Sequence, residues 1–170
     1  NESGMTAAEK GTAMHAFMQY CEYSNAKSDL ESEIARLTDN GYIMPEQAKS
    51  LSRDKLKTLF ESDFASRMFN ADKIYREIKV SSYVPVNQIE DTQYTDSVLI
   101  QGIADCVFEE NGELVLVDYK TDRVSCEEEL LDLYKNQIAF YRKAVEKTLK
   151  KPVKEAVLYS FALNKICIYK

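Results

Sequence analysis

The chain has 170 residues, 45% of them hydrophobic and 29% charged, with 28 acidic against 22 basic side chains and a formal net charge of −6. That length and composition fit one globular domain with a sizeable core. The acidic balance counts against a generic nucleic-acid coat, whose phosphate affinity comes from a positive surface, but leaves room for an enzyme that meets phosphate through divalent cations.

The opening run NESGMTAAEK carries no initiator Met, so a piece of a longer protein or a processed chain is expected. From Ala7 to Tyr23, Met14, Phe17, Met18 and Cys21 recur at three- and four-residue spacing and predict an amphipathic helix. Asp29 to Leu37 predicts a second, stopped by Asp39-Asn40-Gly41. Pro45 to Ser52 and Asp54 to Phe64 predict two more, with Pro45 suited to a first helical turn. At Ile74 the period changes, and IYREIKVSSYVPV reads as a strand. SVLIQGIADCVFEE and ELVLVDYK follow as strands joined by Asn111-Gly112, a strong hairpin signal. Glu127 to Leu149 predicts a long helix with Leu130, Leu133, Tyr134, Ile138, Tyr141, Val145 and Leu149 on one side and Pro152 beyond its end. Its opening Glu127-Glu128-Glu129 suits a helix N-terminus, where the macrodipole favours negative charge. AVLYSFAL and KICIYK close the chain as strands around an Asn164-Lys165 turn. The order predicts an α/β fold: a mainly helical part over residues 1–72 and an α/β core over 73–170, within a single domain.

Cys21, Cys106, Cys126 and Cys167 include no C-x-x-C pair, which argues against a zinc or iron–sulfur site of ordinary spacing. Cys106 and Cys167 sit in apolar runs that suit buried free thiols in a reducing cytoplasm. No apolar stretch reaches the length of a membrane span, and no signal-peptide pattern opens the chain, so no membrane association is expected.

The hairpin carries the chemistry. With Asn111-Gly112 as a two-residue turn, Glu110 faces Glu113, and counting back brings Asp105 opposite Asp118. Alternation then puts Lys120 on the face of Asp118. Both strands are apolar on both sides, with Ala104, Cys106 and Phe108 expected on one face and Val107, Leu114 and Leu116 on the other. Two carboxylates opposed at the edge of a buried layer repel and are costly to desolvate. A hard divalent cation would relieve both problems, with Lys120 beside it as a point charge. Spacing alone leaves open a solvated hairpin end whose aspartates and lysine pair with water or one another.

G-I-A-D at Gly102–Asp105, V-D-Y-K at Val117–Lys120, Q-x-x-x-Y at Gln137–Tyr141 and G-T-A-M-H at Gly11–His15 occur in that set, with T-A-A-E-K before the last. On these motifs the chain resembles the RecB-type branch of the PD-(D/E)XK nuclease superfamily from about Thr6 to Tyr169. Within it, the chain is similar to the C-terminal nuclease domains of helicase–nucleases of the AddAB type. The resemblance implies a restriction-endonuclease-like core, a mixed central sheet flanked by helices. It implies His15, Asp105 and Asp118 as metal ligands, with the backbone carbonyl of Tyr119 a fourth. Lys120 would be the catalytic lysine, with Gln137 and Tyr141 near DNA and the active site. Glu77 matches an acidic position that precedes the core sheet in many members, though pairing with Lys79 or Arg76 is the plainer expectation for it. His15, the one histidine, falls with Gln19 and Glu22 by helical spacing, where a hydrogen-bonded helix histidine is the alternative. Gln137 and Tyr141 could equally be ordinary helix surface and core.

The implied cofactor is Mg²⁺, with Mn²⁺ or Ca²⁺ able to occupy the same ligands, and the implied reaction is hydrolysis of DNA phosphodiesters during double-strand-break processing in a bacterial cytoplasm. The four-cysteine iron–sulfur cluster of some members, including the AddB-type subunit, is not matched by the cysteines here. No Walker A pattern is present, so ATP would belong to a helicase part outside this chain. The implied partners are single strands of DNA from unwound duplex and an AddB-like subunit in a heterodimer. The competing expectations are a standalone Cas4-like or phage-type exonuclease, and an inert module of the same fold used for DNA binding or docking.

Overall fold

A computed structural model of the chain describes residues 4–88 and 93–170. Helix α1 (Ala7–Tyr20) starts in a capping box: Glu9 N–H donates to Thr6 Oγ1 at 3.2 Å and Thr6 N–H to Glu9 Oε2 at 2.7 Å. It ends three residues earlier than expected because Cys21 turns to extended backbone and buries its thiol. A short α2 (Tyr23–Ser28), which the hydrophobic period does not predict, leads into α3 (Leu30–Asp39), capped by Asp29. Helix α4 (Pro45–Ser50) stops short of Ser52, where Leu51 is extended and Arg53 Nη1 takes the carbonyls of Ala48 and Leu51 at 2.6 and 3.0 Å. The single helix expected over Asp54 to Phe64 is two, α5 (Arg53–Glu61) and α6 (Asp63–Phe69). Ser62 breaks it by going extended and capping α6 through Ala65 N–H.

Five strands follow: β1 (Lys73–Pro85), β2 (Ser97–Glu110), β3 (Glu113–Lys120), β4 (Val153–Ser160) and β5 (Lys165–Tyr169). Helix α7 (Glu127–Leu149) crosses between β3 and β4. The sheet runs β1-β2-β3-β4-β5, with only β3 and β4 parallel. Strand β4 begins and ends earlier than AVLYSFAL suggests, so the last connection spans residues 161–164 and uses a left-handed Asn164 at φ 54°. Asn111 and Gly112 both have positive φ, 55° and 80°, as a two-residue hairpin turn of the right twist requires. Glu110 pairs with Glu113, and the expected register runs back to Cys106 opposite Val117.

Each face of the sheet buries its own core. Cys106, Phe108, Val115, Val117 and Tyr119 pack against the six N-terminal helices, while Val107, Leu114, Leu116 and Leu158 pack against α7. Ala104 corrects the expected alternation: it lies on the α7 face with Val107, not with Cys106 and Phe108. The pairs Arg76↔Cys106 and Ile78↔Ala104 flank a skipped position in the β1–β2 ladder, where Glu77 takes a left-handed φ of 50° opposite Asp105. Left-handed backbone costs a non-glycine residue roughly 1–2 kcal/mol. Its effect here is to switch the phase of β1 and β2 together, so the apolar side chains beyond the kink turn toward α7.

At the hairpin end, Arg67 links α6 to the sheet, donating to Glu110 at 3.0 and 3.1 Å and to Glu155 at 3.2 Å, while Lys154 Nζ donates to Glu110 at 2.6 Å. Hydrogen bonding from Arg67, then from Lys154, holds the Glu110 carboxyl down at about 2, against an ordinary value of 4.5. A depressed folded-state pKa stabilises the fold above the unfolded value, and that contribution is lost as pH falls. Between pH 4.5 and 2 the Tm advantage of the wild-type chain over Glu110→Gln should therefore shrink toward zero; parallel Tm curves for the two proteins would refute the linkage.

Candidate active site

Strands β2 and β3 part company beyond Cys106↔Val117, and β3 continues beside β4 to Lys120↔Ser160. Asp105 fills the gap: instead of a ladder pair with Asp118, its Oδ2 accepts the Tyr119 N–H at 2.9 Å. Above the gap stands α1. Arg76 ties its end to β1, donating to the carbonyls of Gln19 and Cys21 at 3.0 and 2.6 Å while its guanidinium lies 3.9 Å from the Tyr23 ring centroid. At the other end of the gap Gly11 meets the residue just after β3 so closely that a Cβ there would lie 2.7 Å from Thr121 Oγ1. Between these two fixings His15 reaches the sheet. Its Nε2 is 2.8 Å from the Tyr119 carbonyl oxygen and 3.3 Å from Asp105 Oδ2, and its Nδ1 is 3.0 Å from the Gly11 carbonyl oxygen.

Both ring nitrogens thus face acceptors, which favours the doubly protonated ring. The Asp105 hydrogen bond first, then its charge and the two carbonyls, raise His15 to about 9 against the cost of burial. Asp105 is correspondingly held below the ordinary range by His15 and the Tyr119 N–H, although burial opposes this. Asp118 goes the other way: burial and the nearby Asp105 charge push it up, and Lys120 only partly offsets them. Lys120 Nζ lies 3.0 Å from Asp118 Oδ2, yet that buried oxygen has no hydrogen-bond partner, so the ammonium is close but not aligned on it. The ammonium instead donates to Gln137 Oε1 at 2.7 Å and sits 3.9 Å from the Tyr134 ring centroid.

Tyr141 lies one turn beyond Gln137 and backs onto the kinked strand. A Cβ on Gly102 would sit 2.7 Å from Tyr141 Cε1, so a glycine is required for the ring to reach this position. Burial, then the charges of Asp118 and Asp105, raise the Tyr141 hydroxyl. Gly102→Ala should cost roughly 1–3 kcal/mol by overpacking, read as a lower Tm; an unchanged Tm would show that the ring yields freely. Glu77, half-buried at the kink, makes no ion pair with Lys79 or Arg76 among the described residues. Burial and the Asp105 charge raise its carboxyl while His15 lowers it, so it faces the same cluster.

All the residues singled out from the sequence therefore gather around the point where β2 and β3 part: His15, Asp105, Asp118, Lys120, Gln137 and the Tyr119 backbone by contact, Glu77 and Tyr141 by electrostatic proximity. Two more belong with them. The apolar stripe of α7 predicts Tyr134 as a packing residue, but it is three residues before Gln137 on the same face and supports Lys120. Arg76, expected as a partner for Glu77, is instead the anchor of α1; its place in a strand gives no sign of that.

Among the described residues no three side chains of His, Cys, Asp and Glu are already gathered as a metal site. A backbone oxygen makes up the set here. Adjacent ligands around an octahedral ion with bonds near 2.1 Å lie about 3 Å apart. The separations of His15 Nε2 from Tyr119 O and Asp105 Oδ2, 2.8 and 3.3 Å, match that spacing. Together with the unpartnered Asp118 Oδ2, the donors fit a small hard divalent cation.

The family model of the PD-(D/E)XK nuclease superfamily matches residues 1–166. An ATP-dependent helicase/nuclease subunit of Clostridium botulinum (strain Loch Maree / Type A3) is 36% identical over 170 residues, 96% of this chain and 13% of that protein. Its counterpart from Clostridium kluyveri (strain ATCC 8527 / DSM 555 / NBRC 12016 / NCIMB 10680 / K1) is 37% identical over 96% of this chain and 14% of that protein. The chain thus spans about one-seventh of the length of these curated relatives. Among solved structures, that of SSO0001 aligns with 99% of this chain and 67% of its own at a TM-score of 0.42 and 16% identity.

Proposed function

The chain belongs to the PD-(D/E)XK nuclease superfamily, and from that premise we propose that it hydrolyses DNA phosphodiester bonds with Mg²⁺ at the junction where β2 and β3 part. The observation that carries the reading is the meeting of His15 Nε2, Asp105 Oδ2 and the Tyr119 carbonyl, beside the buried Asp118 Oδ2, which has the Lys120 ion pair but no hydrogen bond. His15, once its Nε2 proton is displaced, Asp105, Asp118 and the Tyr119 carbonyl would hold the ion, with Glu77 adding its charge nearby. When bound, the ion supplies positive charge to the scissile phosphate and acidifies water.

The chain's own residues do the rest. Lys120, held by Gln137 and the Tyr134 ring, orients the attacking water and balances the charge that grows on the phosphate. A single strand would be led to Asp105 and Asp118 where β2 and β3 part, with Gln137 and Tyr141 flanking that path. The relatives named as subunits of ATP-dependent helicase/nucleases support a wider setting. In it the chain is an exonuclease part of a larger bacterial protein, trimming single strands from unwound double-strand breaks for recombinational repair. ATP would be used by a helicase part outside this chain, and an AddB-like subunit would complete a cytoplasmic heterodimer.

Calorimetric titration with Mn²⁺ tests the centre. Wild-type chain should bind the ion, and Asp105→Asn and Asp118→Asn should each weaken binding at least about tenfold. Wild-type chain that takes up no Mn²⁺ would point to an inert module of the same fold.

A further inference from the structure

Beside the first turns of α1 lies a cavity of about 370 Å³, lined by Lys10, Lys55, Arg123, Ser50, Ser52 and Thr121, with the remaining wall apolar. Among the described residues no carboxylate lines it, in a chain where acids outnumber bases by 28 to 22. Ten ion pairs are formed among the described residues, and Lys10, Lys55 and Arg123 take part in none of them. Three like charges from α1, α5 and the segment after β3 thus face one space, with hydroxyls between them and no acidic side chain on its wall to offset their repulsion.

The cavity adjoins the backbone of the catalytic junction, although the side chains of His15, Asp105, Asp118 and Lys120 do not line it. Thr121 directly follows Lys120, and Gly11 stands one helical turn, about 5.4 Å, before His15, whose Nδ1 is bonded to its carbonyl. Phe161, also on the wall, donates its N–H to the Lys120 carbonyl at 2.9 Å. An anion seated there would lie beside the backbone of Gly11 and Thr121, next to His15 and Lys120 along the chain. We propose that this cavity binds a phosphate of the DNA strand next to the one being cut, with Lys55 and Arg123 as its principal cations and the Ser52 hydroxyl as a donor. The proposal rests on the nuclease reading above and adds to it a residue set that positions the strand. Arg suits the role because its fork can donate two parallel hydrogen bonds to a phosphate.

The test is fluorescence anisotropy of a single-stranded oligonucleotide with the chain in EDTA, so that binding is read without cleavage. The double variant Lys55→Gln/Arg123→Gln should bind about tenfold more weakly at 0.1 M salt. The slope of log affinity against log salt should fall by about 0.7, the value for one single-strand phosphate. Arg123→Lys, which keeps the charge but not the fork, should recover only part of the loss, and thermal melting checks that each variant is folded. Two arms identify the source of the phosphate. If it is internal, one neutral methylphosphonate linkage beside the cut should cost the wild-type chain the same factor and the double variant nothing. If it is terminal, removing the end phosphate should have that effect instead. A folded double variant with wild-type affinity and slope overturns the phosphate site alone, since wild-type cleavage would stand. A wild-type chain that neither binds nor cuts DNA would overturn the nuclease reading and this proposal with it.

Discussion

Lys120→Ala is expected to lower single-strand cleavage about 10³-fold while leaving Mn²⁺ affinity undiminished, whereas Asp118→Asn should lose both. The contrast follows from how the two side chains share one contact. Lys120 Nζ is 3.0 Å from Asp118 Oδ2 but is directed to Gln137, so it lends positive charge to the site without occupying the carboxylate's lone pairs. Removing the ammonium takes away charge that acts on the reacting phosphate, for which losses of about 10²–10³ or more are typical. It also removes a cation that competes with the metal, so affinity should hold or rise. Asp118→Asn leaves Lys120 in place and removes a ligand. Single-turnover cleavage and Mn²⁺ titration on the same preparations separate the cases. Cleavage retained by Lys120→Ala would remove the lysine from the active site, and equal loss of metal by both variants would make its role structural.

Replacing His15 with alanine should weaken Mn²⁺ binding at least about tenfold, with cleavage partly recovered at high Mn²⁺. His15 lies 104 residues from Tyr119 in sequence, and its Nε2 approaches the Tyr119 carbonyl and Asp105 Oδ2 together. A ring placed there only to satisfy the helix would need just its Nδ1 contact with the Gly11 carbonyl. The alanine variant therefore distinguishes a ligand from a packed histidine. A dissociation constant for Mn²⁺ equal to the wild-type value would exclude His15 from the centre. The loss should also exceed that of Glu77→Gln, because Glu77 reaches the cluster by its field rather than by a direct contact.

Much of this site is legible in the sequence, for reasons that are local. The Asn111-Gly112 turn demands two positive φ angles and thereby sets the hairpin register. Period-two alternation then carries Lys120 to the face of Asp118, and the observed ion pair lies on that face. The limits of α7 coincide with those expected from Glu127 to Leu149, and its stripe packs on the sheet except at Leu133, which the period put on that side but which is 62% exposed. The misread stretches lie where short polar side chains compete with the repeat. Ser62 splits one helix into two, and Cys21 ends another early, because an extended residue whose side chain caps or buries leaves little trace in a hydrophobic period.

Tertiary packing decided the rest. Ala104 faces α7 because the ladder skips a pair at Glu77 and Asp105, and a left-handed glutamate inside a strand persists where packing on both faces of the sheet over-determines it. The same packing turned Arg76 from an expected carboxylate partner into the clasp on α1, and Tyr134 from stripe residue into the seat of Lys120. Lys10, Lys55 and Arg123 carry no mutual signal in the chain, being brought to one cavity only when α1 and α5 close on the end of β3. Turn chemistry and side-chain period thus determined which residues of the hairpin and of α7 share a face. Which of them meet His15, and what charge surrounds that meeting, depended on contacts between segments far apart in sequence, which no local period encodes.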